Sequence, residues 1–220
     1  VNGQKVWNTL AHLADWGMLV TRSDPDLPKH KGMTYFALDM HSEGVEVRPL
    51  RQITGEAEFN EVYMTHARLP DANRIGAEGE GFRIAMMGLD GGRINIGACS
   101  VGGARACLDA AREHMKQRRQ FGQPLSEFQA LQFRLADMAT ELESARLMLH
   151  RAAWMLDRGA HGTTVAAAMA KRVATDTGFD VVNQALQLHG GYGYLKEFPI
   201  ERYLRDLRVH QILEGTNEIM

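Results

Sequence analysis

Residues 126–159, SEFQALQFRLADMATELESARLMLHRAAWMLDRG, carry the clearest periodicity in the chain. Phe128, Leu131, Leu135, Met138, Leu142, Ala145, Leu149, Ala152 and Leu156 recur at steps of three and four, the spacing that lines one face of an α-helix. Ser126-x-x-Gln129 has the form of a capping box at the start of this run. Gly159 stands where a C-terminal cap belongs. Two further helices flank it. One is expected over Glu80 to Gln117, with Val101, Leu108, Ala111 and Met115 on one face. Its Gly91-Gly92 pair would bend it or let another group approach closely. The other runs from Thr163 to His189. Three long helices with short connections predict a bundle.

Upstream of residue 78 the pattern changes. Met18 to Arg22, Met33 to Asp39, Val45 to Arg48 and Phe59 to Met64 are short β-rich runs. Pro25, Pro28 and Gly32 mark a long loop, and Ser42 to Gly44 a turn. An antiparallel sheet or small barrel is expected for residues 1–78, followed by a helical bundle over 79–220. The fold class is thus α+β. The chain opens on Val1 rather than Met, and Asn217 to Met220 look like the opening of a helix, so a piece of a longer protein is expected.

The 220 residues are 45% hydrophobic and 24% charged with a net charge of −2, and no Lys/Arg-rich block occurs. This composition supports a packed core and speaks against a nucleic-acid partner. No apolar run is long enough to span a bilayer. Cys99 and Cys107 fall two turns apart on one expected helix, too far to bridge, and are expected as buried free thiols. No zinc-like His/Cys spacing is present.

Four local features stand out, each with a plain structural reading. Trp7, near Thr9, could be a strand core residue. Arg118-Arg119-Gln120-Phe121-Gly122 could place cations at a helix C-terminus. Gln187-Leu188-His189-Gly190-Gly191-Tyr192-Gly193 could be a loose helix stop, and it lacks the Gly-x-Gly-x-x-Gly spacing of a dinucleotide fingerprint. Glu214-Gly215-Thr216-Asn217-Glu218 could be a surface loop, with Thr216 an N-cap.

Taken in order, these segments resemble the acyl-CoA dehydrogenase family. Gly3-Gln4-Lys5-Val6-Trp7-Asn8-Thr9 is similar to the family's Gly-x-Lys-x-Trp-Ile-Thr strand, and Arg118 to Gly122 to its Arg-x-x-Phe-Gly. Gln187 to Gly191 and His210 to Glu218 complete the match. Leu89 to Ile96 and Gly190 to Lys196 resemble the short- and branched-chain members, those acting on isobutyryl-CoA among them. The resemblance implies a partial middle β domain and a four-helix-bundle-like C-terminal domain, without the family's N-terminal helical domain.

It further implies FAD-dependent oxidation of an acyl-CoA to the trans-2-enoyl-CoA, with Glu214 taking the α proton and the β hydrogen leaving as hydride. Some relatives carry their base at the position of Gly92, which cannot serve here. Trp7, Thr9, Gln129, Thr216 and Glu218 match flavin contacts. Arg118, Gln120 and Phe121 match positions that reach a neighbouring subunit's FAD, and Gln187, Gly190 and Gly191 match its adenosine end. Ser23, Asp90, Arg93 and Gly215 match the substrate side, although Asp90 and Arg93 could equally form a structural ion pair. A homotetramer using electron-transferring flavoprotein is implied, in a bacterial cytoplasm or a mitochondrial matrix. An acyl-CoA oxidase and a non-catalytic subunit of a heteromeric dehydrogenase are the alternatives.

Overall fold

A computed structural model describes all of residues 1–220, which form two compact units, Val1–Gly88 and Leu89–Met220. The first contains six strands: β1 (Gly3–Thr9), β2 (Trp16–Arg22), β3 (Met33–Asp39), β4 (Val45–Leu50), β5 (Phe59–Met64) and the short β6 (Arg74–Ile75). They make two three-stranded antiparallel sheets, ordered β1-β5-β4 and β2-β3-β6, rather than one closed barrel. Alternation along β5 sends Asn60, Val62 and Met64 inward. Val62 and Met64 join Leu19, Leu38 and Met40 in the core of this unit.

β1 is bulged. Its register against β5 slips between Lys5 and Asn8, and Trp7 takes a left-handed φ of 68°. Two residues, Val6 and Trp7, therefore stand opposite one, which kinks the strand and re-aims a side chain. The fully buried Asn60 fixes the bulge by donating to the Asn8 carbonyl at 3.0 Å and the Glu58 carbonyl at 2.8 Å. Asn8 donates back to the Asn60 carbonyl at 3.4 Å. The polar residue at position 8 is thus used in holding the bulge.

The chain continues through α1 (Gly81–Gln117), a two-rung hairpin of β7 (Arg119–Gln120) and β8 (Gln123–Pro124), α2 (Gln129–Asp157), α3 (Thr163–His189) and α4 (Ile200–Leu207). The expected seams are the buried ones. Val101, Leu108, Ala111 and Met115 of α1 meet Met138, Leu142, Ala145, Leu149 and Ala152 of α2 and an alanine-rich face of α3. Each large side chain buried this way contributes about 1.5–3 kcal/mol. Gly159 closes α2 in the left-handed region, with its N–H on the Leu156 carbonyl. No helix is long and apolar enough to cross a membrane.

Two expectations need correction, and one helix had no periodic signal. The capping box does not form: a 3₁₀ turn at Leu125–Glu127 takes up Ser126, so Phe128 becomes the N-cap and no side chain caps α2. The Ser126 carbonyl instead accepts from the Gln132 amide at 2.8 Å. Cys107 is buried but Cys99 is exposed. Eight residues turn the helix about 80° past two full turns, which carries Cys99 off the core face. Burial pushes the Cys107 thiol up to about 12. The helix α4, begun at Pro199, was not anticipated from the periodicity.

Candidate active site

Glu214 lies in the loop after α4 with φ 56°, followed by Gly215 at φ 92°. A left-handed glutamate costs roughly 1–2 kcal/mol, and such strain persists only where the surroundings enforce it. The result is a half-buried carboxylate placed directly over Gly92 of α1. A Cβ built on Gly92 would lie 2.6 Å from Oε2 and 2.9 Å from Cδ of Glu214. Gly92 therefore serves close approach, whereas the space beside Gly91 is open and α1 runs unbroken through both. No hydrogen-bond donor engages the Glu214 carboxylate, so its lone pairs stand free to accept a proton.

Several side chains surround this loop. Arg93 pairs with Asp90 at 3.4 Å, and Asp90 also accepts from Thr164 of α3 at 2.7 Å. Both Asp90 oxygens are thus engaged within the bundle, whereas the buried Nε of Arg93 has no partner. Thr216 and Glu218 occupy a turn closed by the Ile219 N–H on the Thr216 carbonyl. The Glu218 carboxyl is held below its ordinary range, first by a backbone hydrogen bond and then by Thr216.

The sequence reading missed what ties the loop down. Lys171 of α3 is 0% exposed and donates to the Gly215 carbonyl at 2.8 Å and to Asn217 Oδ1 at 2.7 Å. Burial pushes this ammonium below the ordinary lysine range, while Asp176 and Glu214 pull it back up. A signal was present: Ala167, Lys171, Ala174 and Gly178 follow one another at steps of four, three and four, which puts a lysine in an alanine seam.

A second group lines a cleft of about 660 Å³ at the other predicted motif of the bundle. Arg118, Gln120, Gln187, Gly190 and Gly191 all border it, with an apolar floor that includes Leu125, Leu131 and Leu188. Arg118 forms no ion pair and lies 5.7 Å over the Tyr192 ring. The space above Gly190 and Gly191 is open, which leaves their backbone approachable. A free guanidinium, accessible backbone and apolar floor fit the phosphate and adenine end of FAD. Phe121 and Gln129 do not border the cleft; Phe121 is 92% exposed, with φ 51°.

In the first unit, Trp7 and Thr9 border a cleft of about 400 Å³ with Trp16 and Met18. Trp7 is 69% exposed, so a large flat ring is offered outward by the bulge, as stacking on a flavin requires. Ser23 borders a separate cleft of about 1160 Å³, and its hydroxyl shares a 2.6 Å hydrogen bond with that of Thr34. No cluster of side chains suited to a metal ion occurs.

Comparison with known proteins gives a consistent result. The family model for the acyl-CoA dehydrogenase C-terminal domain matches residues 79–220, and that for the middle domain matches residues 1–67. The mitochondrial isobutyryl-CoA dehydrogenase of Dictyostelium discoideum is 60% identical over 153 residues, covering 70% of this chain and 37% of that protein. The structure of butyryl-CoA dehydrogenase from Megasphaera elsdenii superposes with a TM-score of 0.91 at 40% identity, over 99% of this chain and 57% of that one. A chain solved in work on the electron transferring flavoprotein of Acidaminococcus fermentans superposes with a TM-score of 0.94 at 40% identity, over 99% of this chain and 57% of that one. The chain spans about half the length of the relatives it matches or less. With both of its domains matched in order and its architecture shared throughout, the chain belongs to the acyl-CoA dehydrogenase family.

Proposed function

We propose that the protein containing this chain oxidises a short or branched acyl-CoA thioester to the trans-2-enoyl-CoA, with Glu214 as the base. The observation that carries this reading is the Glu214 carboxylate, free of donors and held over Gly92 by a strained backbone. A carboxylate so placed can take an α proton without reorganising its own partners. The Glu214 backbone N–H would steady the thioester carbonyl as negative charge develops there, and Gly215, next to it in the loop, is on the substrate side in this reading. Ser23, Asp90 and Arg93 match the substrate side by the resemblance, and the unpartnered Arg93 Nε is a donor still available.

FAD, when bound, supplies acceptance of the β hydrogen as hydride at N5. Trp7 would pack on the flavin ring, with Thr9 donating near it, and Thr216 and Glu218 would make further contacts. Arg118 and Gln120 would hold the pyrophosphate of a neighbouring subunit's FAD, with Gln187, Gly190 and Gly191 along the adenosine. Phe121 and Gln129 are assigned to the same set by the resemblance alone, since neither borders the cleft. This arrangement requires an oligomer, for which a homotetramer is the proposed form. Residues 1–78 are then part of the middle β domain and 79–220 the bundle domain. Electron-transferring flavoprotein is the proposed acceptor. The local runs at Leu89–Ile96 and Gly190–Lys196, with the identity to an isobutyryl-CoA dehydrogenase, support a branched substrate.

The test is anaerobic flavin bleaching of the full-length protein with a panel of acyl-CoAs, beside its Glu214→Gln variant. Bleaching by a short or branched acyl-CoA in the wild type, with a variant that binds but does not bleach, is the expected result. Equal bleaching in both removes Glu214 as the base, and a protein that holds no flavin removes the enzyme reading.

A further inference from the structure

We propose that Lys171 is a positioning residue for the Glu214 carboxylate, acting through the loop that carries it; this rests on Glu214 being the base. An ammonium taken out of water is retained only where acceptors replace its hydration, and an apolar side chain of similar size would pack as well. Lys171 has no carboxylate within ion-pair distance. Its acceptors are the Gly215 carbonyl and the Asn217 amide, both on the loop and both within three residues of Glu214. The lysine is therefore directed at the loop.

The remainder of the network has the same target. Asn217 donates to Asp176 at 2.7 Å and Thr175 at 2.9 Å, both on α3. Gln211 donates to the same Asp176 oxygen at 2.7 Å. The Asn217 N–H closes the loop on the Gln211 carbonyl at 3.0 Å. Both ends of the 211–217 segment are thus fastened to one stretch of α3, with Glu214 at its crest. Lys171 is the group that reaches the crest itself, at the carbonyl of the residue next to the base. Without that bond, the left-handed conformation of Glu214 has less to enforce it, and relaxation draws the carboxylate off Gly92.

The test uses the full-length flavoprotein and Lys171→Met, which keeps much of the volume and removes both donors. Flavin content and KM for the acyl-CoA are expected to stay within about twofold, while kcat falls about 10- to 100-fold, the penalty for a reacting group displaced by about an ångström. Hydrogen–deuterium exchange read by mass spectrometry should show residues 211–217 exchanging at least about tenfold faster, with α2 unchanged. If kcat and loop exchange match the wild type, or if exchange rises across the whole bundle with kcat per flavin unchanged, Lys171 serves the fold alone and the proposal is wrong. Should Lys171→Met fail to fold, Asn217→Ala unfastens the loop from its own side and must show the same separation of kcat from KM, or the proposal falls. A wild type that oxidises no acyl-CoA retires Glu214 as the base, and the proposal with it.

Discussion

Gly92→Ala separates the stability of the bundle from the work of its carboxylate. The added Cβ would stand 2.6 Å from Oε2 of Glu214, 2.9 Å from Cδ and 3.3 Å from Oε1. Carbon–oxygen contacts ordinarily stand near 3.4 Å, so the carboxylate must retreat by about 0.8 Å. That retreat is cheap for the fold, because the displaced atoms end a flexible side chain. The helix itself gains, since alanine is favoured over glycine in a helix interior by up to about 1 kcal/mol. In a chain of this size that gain is worth about 2–4 °C in Tm. The same displacement is costly for proton transfer: misplacing a reacting group by about an ångström costs on the order of 100-fold in rate. Gly91→Ala provides the control, because nothing stands within 4 Å of its added Cβ. Melting curves and steady-state kinetics of the two full-length variants give the answer. Both should melt at or above the wild type, and only Gly92→Ala should lose kcat and kcat/KM together, by about 10- to 100-fold. If Gly92→Ala keeps the kcat of Gly91→Ala, the reacting carboxylate does not sit where this structure places it, and the assignment of Glu214 loses its geometric support.

Other consequences can be checked in the same preparations. Arg118→Gln should lower the flavin retained after gel filtration and weaken FAD binding by apoprotein about 10- to 100-fold, the worth of one charge-assisted hydrogen bond of about 1.5–3 kcal/mol; unchanged titration curves would remove Arg118 from the phosphate site. His210, hydrogen-bonded to Ser100 at 2.7 Å, has its pKa lowered mainly by burial, with Asp206 opposing and Lys171 reinforcing. Its protonation is disfavoured in the folded state, so its contribution is full above the unfolded value of about 6.5 and is lost as pH falls from there toward the folded value. Melting temperature should therefore fall more steeply between pH 7 and pH 5 in the wild type than in His210→Gln, and parallel curves would show that His210 is not the group responsible.

The helices were legible in the chain because their signal is local. The seam from Leu131 to Ala152 needs only a 3.6-residue period, and α3 is bounded by Gly162 and Gly190, so its limits follow from punctuation. The strands β3 and β5 were bounded in the same way by turn residues. The capping box misled because the motif is also met where Pro124 starts a 3₁₀ turn, and the next four residues cannot reveal which geometry wins. α4 escaped because eight residues carry too few periods, and only Ile200 and Leu207 of them are buried.

The site is a different case, since none of its geometry is local. Trp7, Phe121 and Glu214 are three of the five non-glycine residues with positive φ, and the roles assigned to all three come from resemblance rather than from periodicity. A left-handed backbone leaves no periodic trace; it exists because distant groups hold it, Asn60 beneath the Trp7 bulge and Lys171 beneath the Glu214 loop. Those two supporting residues were nonetheless visible as misfits. Asn60 is a polar residue on the inward face of β5, and Lys171 a cation in an alanine seam. A polar side chain at a core position lowers stability unless something specific satisfies it, and the satisfying groups here include in each case backbone carbonyls beside a left-handed residue. Local inconsistency in a chain that is otherwise consistent therefore points at the residues that hold a strained segment, while the residues proposed to perform the chemistry stand one contact away, in loops where pattern is silent.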